Sequence, residues 1–227
     1  MHYLGLALYA EGPTDYYFLR PLLLRLCDDI CRHDASQRVE LSEDVIALDH
    51  PDSAQDAPRE RRVIEAAQLA RGAWRIVFVH TDGAGDSERQ RSVLVQPALD
   101  LLQQHCARDG VGVAVIPVRE TEAWALADGD ALRQVFGTTL DDTRLGLPAP
   151  GAVESERWPK ERLEKAFFAT GPSARRRRQG VSPLLNALGD TVALSRLRQL
   201  AGFRALETEL RQALHALNIL RPDRLSI

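Results

Sequence analysis

Acidic residues recur at the ends of apolar runs in this chain. Glu11 and Asp15 follow Leu6-Ala7-Leu8-Tyr9-Ala10, Asp82 and Asp86 follow Trp74 to His80, and Glu120 and Glu122 follow Gly110 to Val118. A further pair, Asp49 and Asp52, closes the run Asp44 to Leu48. Carboxylates alone make an all-oxygen ligand set of the kind Mg2+ or Mn2+ takes, with positions left over for water and phosphate oxygens. Without a cation, several carboxylates in one crevice repel one another and some take up a proton. Gly12, Gly83 and Gly85 stand in the same turns, where a bare backbone lets a phosphate chain come close. Any one acidic cluster is accounted for by the preference of Asp and Glu for helix N-termini. Three together argue for a shared metal site.

Those residues share a site only if the apolar runs are parallel strands of one sheet. Tyr3 to Tyr9 reads as a strand buried on both faces, broken by Gly12-Pro13. A helix should follow with Thr14 as its N-cap, carrying Phe18, Leu19, Leu22, Leu23, Leu26 and Ile30 at helical spacing. Pro21 should kink that helix or divide it. Further strands are expected at 44–48, 74–80 and 110–118, with helices at 58–70 and 87–107 between them. Strands alternating with helices imply βαβ units, so the fold class is α/β with a mostly parallel four-stranded sheet flanked by helices. In such a sheet all strand C-termini lie on one edge, where ligands bind. This α/β unit is expected to span residues 1–136. Residues 137–227 read as a loop-rich and helical C-terminal region, with a surface excursion at 138–158 and short helices from about residue 160 onward.

Composition excludes several classes. The chain has 227 residues with 44% hydrophobic and 27% charged side chains, an ordinary globular balance, and its net charge of -3 offers no global attraction for nucleic acid. Any such contact must come from a local patch. No apolar run approaches the roughly 20 residues that cross a bilayer, and Met1-His2-Tyr3-Leu4 lacks the features of a signal peptide. Cys27, Cys31 and Cys106 make neither a disulfide framework nor a zinc set. Cys27 and Cys31 lie one helical turn apart and should pack inward. A reduced, cytoplasmic protein is expected. No Ser-His-Asp arrangement, Walker A sequence or Gly-x-Gly-x-x-Gly fingerprint occurs, which argues against serine hydrolases, P-loop nucleotidases and dinucleotide enzymes.

The local basic patch is Arg175-Arg176-Arg177-Arg178, preceded by Arg157, Lys160, Arg162 and Lys165. It can present a positive field to phosphate, or form a solvated loop or a partner-docking surface. His50 and His80, at the ends of the second and third strands, could act as donors or bases beside the acids, but a lone histidine is more often structural. Both stay outside the expected metal set.

The blocks Glu11-Gly12-Pro13-Thr14-Asp15, His80-Thr81-Asp82-Gly83-Ala84-Gly85-Asp86 and Glu120-Thr121-Glu122-Ala123-Trp124 resemble a TOPRIM-type domain, the divalent-metal module of topoisomerases, primases and OLD-family nucleases. They are most similar to small stand-alone bacterial TOPRIM-like proteins, often encoded beside an ABC/SMC-like ATPase. Arg175 to Leu185 and Leu194 to Leu210 are similar to the same family, so the resemblance covers most of the chain. It implies a Mg2+- or Mn2+-dependent nuclease acting on DNA or RNA, in a bacterial anti-phage or mobile-element system with that ATPase as partner. Glu11 and Asp82 would be catalytic, and Glu11, Asp15, Asp82, Asp86, Glu120 and Glu122 would offer metal ligands. Lys160 and Arg175 to Arg178 would meet nucleic acid. One departure stands out: the family's Asp-x-Asp is stretched here to Asp82-x-x-x-Asp86. Trp124 is expected to pack its helix onto the sheet. The alternative is a non-catalytic module of the same fold, docking a partner protein or RNA.

Overall fold

The computed structural model describes residues 2–48 and 56–221. Asp49, His50 and Asp52 lie outside the described residues. The element order is β1 (His2–Tyr9), α1 (Pro13–Asp34), β2 (Val39–Ala47), α2 (Arg59–Leu69), β3 (Ile76–His80), α3 (Ser87–Gln90), α4 (Gln96–Cys106) and β4 (Val111–Val115). Then come α5 (Glu122–Ala125), α6 (Gly129–Phe136), α7 (Asp142–Leu145), α8 (Pro159–Ala169), α9 (Ala174–Gln179), α10 (Leu185–Thr191), α11 (Leu194–Leu197) and α12 (Ala201–Ala216). A π-helical turn, Arg91–Val95, joins α3 to α4.

The four strands form one all-parallel sheet in the order β2-β1-β3-β4, a Rossmann-like α/β arrangement. Period-two alternation sorts the strand side chains into two cores. Leu4, Leu6, Leu8, Ile76, Phe78, Val113 and Val115 face α1 and the C-terminal helices. Ala7, Tyr9, Val77, Val79 and Ala114 face α2 and α4. The first crossover runs outward from β1 to β2, and the second returns past β1 to β3. Crossovers of one hand that reverse direction put their helices on opposite faces, which is why both faces are covered. Residues from both sides of position 136 share the first core, with Leu163, Phe167, Leu188, Phe203 and Leu210 joining Leu8 and Phe18.

Three local outcomes differ from the sequence expectations. The N-cap of α1 is Gly12 rather than Thr14, because Pro13 takes the N1 position where its missing N–H costs nothing. The helix also runs unbroken through Pro21. Proline frees the carbonyl four residues earlier, that of Tyr17, and the Asn186 side-chain amide donates to it at 3.4 Å. Gly189 lets α10 press against the same turn, since a Cβ there would stand 2.2 Å from the Phe18 carbonyl oxygen. Finally, β2 begins at Val39, ahead of the strand expected at 44–48.

Cys27 and Cys31 are buried, as their spacing suggested, and Cys106 is buried as well. The outer edge of β4 is not open to solvent, for α12 lies along it and Glu209 Oε1 accepts the Ala114 N–H at 2.9 Å. An exposed row of strand donors would invite pairing with other chains, and this helix removes it. Among the described residues, no helix is long and apolar enough to cross a membrane.

Candidate metal centre

The strand order makes the gap between β1 and β3 the topological switch point, where successive crossovers depart in opposite directions and leave a crevice. Glu11 follows β1 and Asp82 follows β3, so the two flank that crevice.

Between them lies His80, the last residue of β3, wholly buried. Its Nδ1 stands 3.7 Å from Asp15 Oδ2, and its Nε2 stands 3.6 Å from Asp82 Oδ1 and 3.1 Å from Thr121 Oγ1. The Glu11 N–H stands 3.5 Å from Nδ1. One ligand atom from each of Asp15, His80 and Asp82 lies within 4.8 Å of the others, so this group could bind a metal ion. Asp82 Oδ1 is buried with no hydrogen-bond partner. An acceptor oxygen without a partner carries a desolvation cost, moderated here because the Asp82 side chain as a whole is 36% exposed. A cation would remove that cost, so the donor set fits a metal.

The carboxylates divide by protonation. Burial raises the Glu11 pKa, but hydrogen bonds to Oε2 from the Thr81 hydroxyl at 2.6 Å and the Asp82 N–H at 3.2 Å, with Arg59 and His80 nearby, outweigh it. Glu11 therefore titrates below its usual value and is ionised. Asp15 moves the other way: burial raises it, His80 opposes and the Asp82 charge adds to the rise. Glu122 is pushed up to about 7, chiefly by burial, with the charges of Asp15, Asp82 and Glu120 adding to it. Neighbouring carboxyl groups driven apart in this way supply an ionised group and a proton carrier at the same pH.

Not every expected ligand is directed at the crevice. Asp86 is the N-cap of α3, its Oδ1 accepting the Arg89 N–H at 3.1 Å. Glu120 Oε2 accepts the backbone N–H of Lys160 at 3.1 Å and so caps the first turn of α8. That bond carries the N-terminus of α8 to the edge of the site, through the backbone of Lys160 rather than its ammonium. Asp15 serves twice, capping the Gly12 N–H at 2.9 Å while facing His80. Gly83 is bare because protein, not ligand, fills the space beside it: a Cβ would meet the Pro117 carbonyl oxygen at 2.1 Å. Trp124 is fully buried with its ring edge-on to Phe203 at 5.4 Å, the packing role its position suggested.

Two participants escape the sequence patterns. His80 could be read in the sequence as a donor or base beside the acids but was kept outside the expected metal set, and its place between two aspartates depends on the loop after β1 folding over it. Arg59, at the start of α2, lies beside Glu11, over the Tyr9 ring at 5.5 Å and hydrogen-bonded to the His80 carbonyl. No spacing relates it to the acidic blocks. Arg175 to Arg178 form α9, an exposed helical turn rather than an irregular loop.

Compared with known proteins, the chain matches no family model, no curated protein and no solved structure.

Proposed function

We propose that this chain is a divalent-metal-dependent nuclease of TOPRIM-like type, with its centre at Asp15, His80 and Asp82 and with Glu11 and Glu122 beside it. The observation that carries the reading is the unsatisfied Asp82 Oδ1, buried among acids at the switch point. The imidazole in the group favours Mn2+ over Mg2+, which demands a near-ideal octahedron of oxygens. When bound, the cation supplies positive charge to phosphate oxygens and eases ionisation of water. Glu11, held ionised by Thr81 and the Asp82 N–H, accepts a proton. Glu122, raised chiefly by burial in the metal-free chain, lies beside the centre as a further carboxylate that a cation would favour in its ionised form. The resemblance of the acidic blocks adds an ABC/SMC-like ATPase partner in a bacterial anti-phage or mobile-element system.

The test is cleavage of plasmid DNA, single-stranded DNA and RNA with Mn2+ or Mg2+, with and without the ATPase, by wild type, Glu11→Ala and Asp82→Asn. Metal-dependent cutting that both variants lose is the expected result. Undiminished cutting by either variant, or no cutting under any of these conditions, refutes the catalytic reading.

A second reading draws on a specific observation. Asp15, Asp86 and Glu120 all serve as caps, as they would in a binding module that keeps the fold without its chemistry. Such a module would dock a partner protein or RNA, and it would bind RNA or the ATPase while cutting nothing.

A further inference from the structure

We propose that the surface running along α8 from Trp158 to α9 is a stacking track for single-stranded nucleic acid leading to the metal centre. The inference rests on the proposed nuclease reading and narrows its substrate class. Two aromatic rings stand open at the ends of α8, Trp158 at 55% and Phe168 at 38% exposed. An arginine stacks on each. The Arg157 guanidinium lies 5.2 Å from the Trp158 ring centroid and that of Arg177 lies 5.8 Å from Phe168, while Arg176 covers Phe167 at 5.5 Å.

Exposed rings interleaved with arginines are what single strands use, since every base has a π-face to stack and every nucleotide a phosphate to pair. A duplex hides its base faces and gains nothing from the rings. Charge agrees: residues 156–178 carry eight Lys or Arg against three Glu, a local net of +5 in a chain of net -3. Of the three acids, Glu156 is held by Arg162 at 2.9 Å and Glu161 faces Lys165 at 3.6 Å.

Position ties the track to the centre. The Lys160 N–H bond to Glu120 sets the Trp158 end beside the acidic loop. Ten residues of helical rise separate Trp158 from Phe168, about 15 Å. At about 3.4 Å per stacked nucleotide this is room for roughly four nucleotides, the lower limit for a single-strand module.

Tryptophan fluorescence reads the contact directly, because Trp74 and Trp124 are buried and only Trp158 is open to a stacking base. The probes are 12-nucleotide oligo(dT) and oligo(rU), which distinguish DNA from RNA, and a DNA hairpin duplex. Titrations run in EDTA, so that binding is read without cleavage. Either oligonucleotide should quench the emission saturably and bind more tightly than the hairpin. Trp158→Phe should abolish quenching with little loss of affinity. Trp158→Ala and Phe168→Ala, both at exposed positions, should each weaken single-strand binding about tenfold and leave hairpin binding unchanged.

Equal affinity for hairpin and single strand, no quenching, or no loss in the alanine variants overturns the track. So does retention of the ATPase with binding of neither nucleic acid, which would make the surface a protein-docking face. Cutting of duplex without quenching would overturn the track and leave the nuclease reading standing. Quenching without cutting would do the reverse.

Discussion

Glu122 offers the sharpest test of the site's electrostatics. Its carboxyl titrates at about 7 in the folded chain against 4.5 when unperturbed, with burial the main cause and neighbouring carboxylates the second. Below pH 4.5 both folded and unfolded states hold the proton and the group is neutral in stability. As pH rises toward 7 the unfolded state releases it first, so stability falls across that window. Above 7 the full cost is present. At 1.36 kcal/mol per unit, the difference amounts to about 3 kcal/mol, a substantial part of a typical folding free energy. Glu122→Gln keeps the shape and removes the titration. Urea denaturation of both proteins in EDTA, from pH 4.5 to 8, should therefore show the variant gaining on wild type as pH rises. At pH 8 its midpoint should lie about 1 M higher. Comparison with the variant cancels the opposite contributions of carboxyls held low, such as Glu11 and Asp29. Adding Mn2+ should reverse the order at pH 8, since a cation favours the ionised carboxylate that only wild type has. A stability difference that stays constant from pH 5 to 8 would refute the account of Glu122 as a buried acid crowded by like charge.

Other perturbations probe the centre and the scaffold separately. Asp82→Asn should abolish the rise in Tm that Mn2+ gives wild type, while raising Tm in EDTA by relieving repulsion with Asp15; scanning calorimetry reads both, and an unchanged Mn2+ shift would remove Asp82 from the ligand set. Glu209→Ala should cost about 1–2 kcal/mol in urea denaturation, because it strands the Ala114 N–H, while the partly solvated Arg91, which Glu209 Oε2 meets at 2.7 Å, adds little. Gly83→Ala should cost about 1–3 kcal/mol by the same measurement, as its Cβ would press on the Pro117 carbonyl and part the loops after β3 and β4.

How much of this was legible in the chain follows from the range of each interaction. Strand runs such as Ile76 to His80 declare themselves, because alternation and turn residues are local properties. The carboxylates at strand ends were visible for the same reason, and parallel topology placed those ends on one edge. Local pattern could not show which acids would be consumed. Asp86 and Glu120 look like ligands in sequence, yet each satisfies a helix N–H a few residues or forty residues away. Pro21 does not divide its helix, and the Tyr17 carbonyl it frees is met by Asn186, far along the chain.

By itself, then, the sequence determined the α/β class, the alternation of strands and helices, the buried faces and the supply of acids and arginines, all of which depend on periodicity and side-chain chemistry. Tertiary structure decided the rest. The order β2-β1-β3-β4 opened a crevice between the Glu11 and Asp82 loops, where burial set Glu122 near neutrality and hydrogen bonds from Thr81 and the Asp82 N–H hold Glu11 ionised against burial. It also turned His80, one more buried strand residue by pattern, into the link between two aspartates. Solvation and charge in a crevice are properties of what surrounds a group, and those surroundings come from segments about 70 and 110 residues apart.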